Sequence, residues 1–264
     1  EVKIFREITN VITCGLAATP RYVNESVGKP FLSAQNVSDG KVVYTKYKFI
    51  SRDLFYQITK HNKPERGDLL YTRVGAGIGE AGVIEDDFSF GIYVSLTLIK
   101  VNPRWLNNYF LLYVLNSPRY RFMAKNTQFA GGGVQNLNVQ VVREFPIPVP
   151  PIPEQRAIAG ALRDVDALIG ALAQLIFKKR DLKQAVMQRL LTGQIRLPGF
   201  NGEWVSQTIE QLEKVKLVKL SRGKVISKKD FERVSGDFPI YSSSVHNDGL
   251  FGRYGDFMFD EELI

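Results

Sequence analysis

The chain has 264 residues, of which 44% are hydrophobic and 11% aromatic, enough apolar content for one large or two medium folded domains. A single cysteine, Cys14, and two separated histidines, His61 and His246, argue against an internal disulfide and a metal site. There is no run of 18 apolar residues and no signal peptide, so we expect no contact with a membrane. The lone thiol fits a reducing, cytoplasmic compartment.

The net charge of +8 is unevenly distributed along the chain. Residues 1–153 hold 18 Lys/Arg against 12 Asp/Glu, residues 154–198 hold 8 against 4, and residues 199–264 hold 9 against 11. The positive excess therefore lies in the first two segments. It favours a polyanionic partner, most simply nucleic acid, although many basic proteins bind none.

The first 150 residues mix the two kinds of secondary structure. Strands are predicted where apolar, β-branched and aromatic residues run together, at Pro30–Ser33, Val42–Ile50, Leu69–Thr72 and, as the central strand, Ile92–Ile99. Helices are predicted at Val2–Thr9, after a cap at Ser51, from Pro103 onward and at Ser117–Asn126. This mixture predicts an α/β (α+β) fold.

A long helix is predicted from Glu154 to Leu191, between a proline-rich run and Gly193. Its apolar residues follow a coiled-coil rhythm and form a seam at Ile158, Leu162, Val165, Ile169, Leu172, Ile176, Leu182 and Val186. Such a helix is about 57 Å long. An ordinary core helix with two buried sides is the simpler interpretation, and a spacer that pairs with another helix is the sharper one.

Two glycine-rich loops are candidate binding segments. Three glycines, Gly131 to Gly133, sit within Gln128–Asn138, where amide side chains suit adenine edges and open backbone amides suit phosphates. The alternative is a flexible connector. The second loop, Arg73–Gly79, has the wrong glycine spacing for a dinucleotide site. Arg73 there suits a guanine or a phosphate, or else a neighbouring carboxylate.

Short matches in the same order suggest an internal repeat. Gly236–Ser242 parallels Gly28–Ser33, and Gly255–Met258 parallels Gly67–Leu70. The second copy stops near the counterpart of residue 76, so we expect a truncated second domain.

Several motifs together resemble the specificity subunit of type I restriction–modification systems. They are Gly67–Val74, Gly131–Asn138, Phe145–Pro148, Pro150–Arg156 with the long helix after it, Leu191–Gln194, Arg196–Phe200 and Trp204. They cover most of residues 1–210 in the family's order. The resemblance implies a first target recognition domain at residues 1–150, a spacer helix at 151–198 and the start of a second recognition domain at 199–264.

The resemblance also implies function and partners. Such subunits read a split target on double-stranded DNA, pair their helices antiparallel, and dock methyltransferase and restriction subunits that carry the catalysis. This chain is then non-catalytic and needs no cofactor of its own, and its helix is expected to pair with a second copy in a homodimer. Its only Pro-Pro, Pro150–Pro151, does not form a methyltransferase tetrapeptide, and no nucleotide-binding or nuclease motif is present.

Loop residues are the expected DNA contacts. The base-reading candidates are Gln35, Asn36, Arg73, Gln128, Gln135, Asn136 and Asn138. The phosphate-contact candidates are Arg21, Lys29, Lys46, Lys48, Lys60, Lys63, Arg119 and Arg121. Two other hypotheses stay open at this point: the recognition part of a fused restriction–methylation enzyme, and an interaction protein in which only the helix matters.

Overall fold

The computed structural model describes residues 1–127, 136–223 and 225–257, with the side chains of residues 228, 231 and 232 also left aside. The chain divides into two compact units, Glu1–Asp181 and Leu182–Ile264. None of the helices in the described ranges is long and apolar enough to cross a membrane.

The first unit combines short strands with four short helices and one long one. Its strands are β1 Val2–Ile4, β2 Thr9–Cys14, β3 Gly28–Leu32, β4 Val37–Ser38, β5 Lys41–Val42, β6 Lys48–Ser51, β7 Leu69–Thr72, β8 Ala81–Val83, β9 Gly91–Ile92, β10 Leu96–Val101 and β11 Pro146–Pro148. Its helices are α1 Arg52–Thr59, α2 Asn108–Asn116, α3 Pro118–Asn126, α4 Val139–Arg143 and α5 Ile152–Leu191, the last ten residues of which belong to the second unit.

A six-stranded sheet in the order β2-β10-β7-β8-β5-β4 forms the centre of this unit. Every residue of β7 is buried, which explains its unbroken apolar sequence. Because successive side chains of a strand point to opposite faces, Leu69 and Tyr71 pack in one core with Phe110 and Leu111 of α2. Leu70 points to the opposite face and packs with Phe90 in a second core.

A smaller sheet, β6-β3-β9, lies beside the first and is covered by α1. Phe31, Ile50 and Phe55 form its core. The predicted cap is confirmed, because the Ser51 side chain accepts a hydrogen bond from the amide of Leu54 at 3.3 Å.

The predicted helix at Val2–Thr9 is wrong. The segment forms β1, a turn of 3-10 helix at Phe5–Glu7 and the start of β2. Phe5 and Ile8 are fully buried, β1 pairs with β11, and β2 pairs with β10. Pairing with distant strands therefore overrides the local helical periodicity.

Two strands and one helix differ in extent from the prediction. The predicted strand Val42–Ile50 is interrupted after β5, and Lys46 there has a positive φ of 55° that a strand does not allow. The predicted central strand Ile92–Ile99 is split between β9 of the small sheet and β10 of the large sheet. Helix α2 begins at Asn108 rather than near Pro103, because Asn107 caps it through the amide of Phe110.

Helix α5 spans 40 residues, about 60 Å. Gln155 and Ala159 near its start are buried, whereas residues 160–189 are exposed. The first six seam residues are between 37% exposed, at Ile158, and 59% exposed, at Ile169, and Leu182 and Val186 are also exposed. The structure thus presents the seam on an open helix face within the described chain.

The second unit contains short elements. They are α6 Ile209–Lys214, α7 Lys228–Arg233, β12 Phe238–Tyr241 and β13 Leu250–Tyr254, with β12 and β13 paired antiparallel. Strand β12 lies in the segment that parallels Gly28–Ser33. The match at Gly255–Met258 lies partly outside the described residues.

Candidate nucleic-acid interface

Asn36 is fully buried and shapes the segment 33–48. Its side-chain nitrogen donates to the carbonyls of Val43 at 2.9 Å and Thr45 at 3.0 Å, and its side-chain oxygen accepts from the Ser33 amide at 3.0 Å. The amide group is therefore occupied by the protein backbone. This geometry gives Asn36 a structural role and argues against the base-reading role expected from the sequence.

Gln35, the neighbour of Asn36, is exposed. Its side-chain nitrogen donates to the carbonyl of Lys46 at 2.6 Å, so the amide lies along the rim of the same loop. The adjacent cleft has a volume of 320 Å³ and is lined by Tyr22, Phe31, Ser33, Ala34, Gln35, Lys48, Tyr93 and Ser95. Aromatic faces, hydroxyls, an amide and a cation at one place can stack on and hydrogen-bond to nucleic-acid bases.

Arg73, at the end of β7, is only 8% exposed. Its guanidinium donates to the carbonyl of Leu137 at 2.8 Å, to that of Val94 at 3.3 Å and to the side-chain oxygen of Asn136 at 2.9 Å. These three acceptors satisfy the guanidinium without a guanine or a carboxylate partner. Arg73 instead holds Asn136 and Leu137 in place, which argues against the base-reading role expected from the sequence.

The segment after the three glycines is anchored at both of its described asparagines. Asn136 forms a β-bridge with Val74 and accepts the bond from Arg73. Asn138 caps α4 by accepting from the Gln140 amide at 2.9 Å. Both asparagines remain exposed, so part of each side chain faces solvent. The candidates Gln128 and Gln135 lie outside the described residues.

Ser95 joins the two loop systems. Its carbonyl accepts from the Arg73 amide at 3.0 Å, and its hydroxyl accepts from the Ala34 amide at 3.0 Å. The cleft beside Gln35 and the asparagine pair after the glycine-rich loop therefore lie side by side. The structure brings Gln35, Lys46, Lys48 and Asn136 to one end of the domain.

The eight predicted phosphate-contact cations fall into three groups. Lys48 lies over the ring of Tyr22 at 4.2 Å, and Lys29 lies 5.9 Å from the ring centre of Phe55. Arg121 is half-buried and forms an ion pair with Glu80 at 3.7 Å, which gives it a structural use. The remaining candidates are exposed: Arg21, Lys46, Lys60, Lys63 and Arg119.

Sequence reasoning missed Tyr22, Tyr93 and Ser95 as lining residues of the cleft. They are scattered along the chain, and only the fold assembles them. One usable signal was present, because Tyr93 to Ser95 interrupts the apolar run of the predicted strand Ile92–Ile99. The described residues contain no group of three or more His, Cys, Asp or Glu able to hold a metal ion.

Comparison with known proteins decides the family. The profile described as "Type I restriction modification DNA specificity domain" matches residues 9–176. The chain belongs to the type I restriction–modification specificity family. The match includes every loop of the candidate interface and the first 25 of the 40 residues of α5.

Known specificity subunits are similar in sequence to this chain over much of its length. The type I restriction enzyme MjaVIII specificity subunit of Methanocaldococcus jannaschii is 27% identical over 209 residues, 76% of this chain and 45% of that protein. The EcoBI specificity subunit of Escherichia coli is 24% identical over 207 residues, 74% of this chain and 43% of that protein. The chain thus spans under half the length of these two relatives.

The fold agrees with the family assignment. A solved chain from work on complex assembly and conformational transition of the type I R-M system superposes with a TM-score of 0.52 at 21% identity. The likeness covers 72% of this chain and 45% of that chain. At this identity it supports the mixed α/β architecture with its long helix, as the sequence predicts.

Proposed function

We propose that this chain is the non-catalytic DNA-specificity part of a type I restriction–modification complex. Residues 1–150 form a target recognition domain for one half of a split double-stranded target, and residues 151–198 form the spacer helix. Residues 199–264 begin a second, related recognition domain. The observation that carries the proposal is the family match over residues 9–176.

The cleft end of the first unit is the surface that we assign to DNA. Gln35 supplies an amide that can pair with a base edge, and Ser33 and Ser95 supply hydroxyls. Lys46 and Lys48 lie beside them, where positive charge can neutralise phosphates. Asn36 holds the segment 33–48, and Arg73 holds Asn136 and Leu137. The described groups around the cleft are therefore ordered before DNA arrives, and less entropy is lost on binding.

The partners follow from the same proposal. The exposed seam of α5 pairs with another helix, which is a second copy of this chain when only this chain is present. Methyltransferase and restriction subunits, which carry the cofactors and the chemistry, dock on the assembled recognition subunit. Exposed apolar residues such as Leu172 and Ile176 support an association surface on the helix.

The test is to change the target without changing the fold. The chain is co-expressed at its natural length with the adenine methyltransferase subunit that we propose as its partner. Methylated adenines are then mapped by sequencing. Replacing Gln35 by Ala is expected to relax sequence preference at one position in one half of the target. The control is Gln57→Ala, an exposed glutamine of α1 outside the cleft, which is expected to leave the methylated sequence unchanged.

Two outcomes would refute the proposal. One is a chain that purifies without the methyltransferase and binds unrelated DNA sequences equally well. The other is a methylated sequence that stays the same when residues 1–150 are exchanged for those of another recognition domain.

A further inference from the structure

Helix α5 is fastened to the first unit at its start through Gln155. The side chain is fully buried, accepts from the Asn107 amide at 2.8 Å, and donates to the carbonyls of Trp105 and Pro150, both at 2.8 Å. Ala159, one turn further on, is buried as well. A helix held only at this point has its origin fixed but keeps freedom to tilt.

A second attachment lies further along the same helix. The Tyr113 hydroxyl of α2 donates to the Asp166 carboxylate at 2.7 Å, and the Arg163 guanidinium lies 4.0 Å from the ring centre of Tyr109. Tyr109 in turn donates through its hydroxyl to Glu85 at 3.0 Å. These contacts reach from the helix through α2 to the loop after β8.

The second attachment is polar and lies in the open, unlike the buried first one. Asp166 is exposed, and an open cleft of 770 Å³ borders the contact and runs under the small residues Ala167, Gly170 and Ala171. The helix is thus not packed flat against the domain there. Two side-chain contacts with specific geometry join the helix to α2 there, where close packing is absent.

We infer that Tyr113 with Asp166, and Tyr109 with Arg163, are positioning pairs that set the angle between the recognition domain and the spacer helix. In a protein that reads a split target, that angle determines which separation of the two half-sites fits. These residues then influence half-site spacing without touching DNA.

The lever arm makes the effect measurable. About 36 Å of helix separates Gln155 from Lys179. If the second attachment is lost and the helix tilts by about 10° around the first, Lys179 moves by about 6 Å. That displacement corresponds to about two base-pair steps of DNA at roughly 3.4 Å each.

The first test measures the angle directly and requires no DNA. Spin labels are placed at Lys179 and at Lys125 in the full chain after Cys14→Ser, and their distance distribution is measured by pulsed electron paramagnetic resonance. A second pair of labels, at Lys179 and Glu25, measures a distance along another direction. The double variant Tyr113→Phe with Arg163→Gln is expected to broaden or shift at least one distribution by several ångströms.

A matched control makes the same chemical changes elsewhere. Tyr56→Phe with Arg52→Gln alters exposed residues of α1 and is expected to leave both distributions unchanged. Asp166→Asn is a second, milder variant for the case in which the double variant folds poorly by circular dichroism. Distributions of wild-type width and mean in both variants would overturn the inference.

The second readout is the spacing preference, and it rests on the proposed function, whereas the distance measurement does not. In the assembled methyltransferase complex, the double variant is expected to accept half-sites one or two base pairs closer or further apart while reading the same half-site sequences. If the double variant changes the spin-label distances but the unmodified chain recognises no DNA sequence, the proposed function is refuted and the role of the positioning pairs is retained. An unchanged spacing preference together with altered distances would remove the spacing role.

Discussion

At the scale of single residues, two neighbours that looked alike in the sequence separate by burial. Asn36 holds three backbone groups and is fully buried, whereas Gln35 is exposed and makes one bond to the backbone. Both are amides in the same loop, and only the structure distinguishes the buried residue that holds the loop from the exposed one that faces solvent.

That difference predicts opposite phenotypes for two alanine substitutions. Asn36→Ala leaves the carbonyls of Val43 and Thr45 and the amide of Ser33 without their partner, so the free energy of unfolding is expected to fall by about 2–3 kcal/mol. Gln35→Ala is expected to change it by less than about 0.5 kcal/mol while weakening recognition of cognate DNA. Urea unfolding and DNA titration measure the two effects. Equal stabilities for the two variants would contradict the assignment.

Lys100 gives a second prediction at this scale. Its ammonium donates to Asp68 at 2.6 Å and to Glu65 at 2.7 Å. Burial opposes its charge, but the two carboxylates outweigh burial and raise the pKa of Lys100. Burial raises the pKa of Asp68, against the pull of Lys100, and the bond to Lys100 lowers the pKa of Glu65. The ammonium therefore stabilises a buried carboxylate that is costly without a partner.

The sign of the pH effect follows from the raised pKa of Lys100. Its contribution to stability is fully present below the unfolded value of 10.5 and is lost as pH rises through the higher folded value. Lys100→Met is expected to cost about 2 kcal/mol at pH 7 and to lack this alkaline component. Burial raises the pKa of Tyr44 to about 12, so ionisation of this tyrosine also favours unfolding as pH rises, and it does so in both proteins. The difference between the two unfolding curves therefore isolates Lys100, and a difference that stays constant to pH 12 would refute the assignment.

At the scale of elements, sequence reasoning succeeded where the signal is local. The periodicity of Glu154–Leu191 found α5 to within two residues at its start, and a continuous apolar run found β7. It failed where a distant partner decides the conformation. Residues 2–9 have a helical periodicity, yet β1 pairs with β11 and Thr9 begins β2, so the segment is not the predicted helix. No local pattern carries the information about these distant partners.

The seam of α5 supplies a prediction for this scale. Leu172 and Ile176 are about half exposed in the described chain, and pairing with a second helix would bury them. Each buried aliphatic side chain contributes about 1.5–3 kcal/mol, and an aspartate in its place adds a desolvated charge. Leu172→Asp with Ile176→Asp is therefore expected to convert a dimer into a monomer by sedimentation equilibrium.

The control is Phe177→Asp, which introduces one negative charge on an exposed apolar residue just off the seam. We expect Phe177→Asp to leave the mass of the dimer unchanged. Equal loss of association in both variants would mean that general apolar exposure, rather than the seam, drives pairing, and an unmodified chain that is monomeric would refute homodimer pairing.

At the scale of the whole molecule, the candidate site was only partly readable from the sequence. Charge distribution and motifs predict a binding surface on the first domain and named Gln35, Lys46 and Lys48, which the fold brings to one end. The same reasoning named Arg73 and Asn36, which the fold buries. The type of a residue indicates what its side chain can bind. Whether that side chain is accessible depends on tertiary contacts, such as the hydrogen bond from Arg73 to Leu137, 64 positions away in the chain.

The net charge of the first domain predicts how DNA affinity responds to salt. Each phosphate neutralised by a Lys or Arg contributes a slope of about −0.9 to the logarithm of the association constant against the logarithm of the salt concentration. Lys46→Gln with Lys48→Gln removes two cations beside the cleft, so the slope is expected to become shallower by about 1.8. Lys178→Gln with Lys179→Gln removes the same charge from α5, outside the cleft, and is expected to leave the slope unchanged. Fluorescence anisotropy with a duplex of the cognate sequence measures both slopes. Equal changes in the two variants would show that overall charge, and not the cleft end of the domain, attracts DNA.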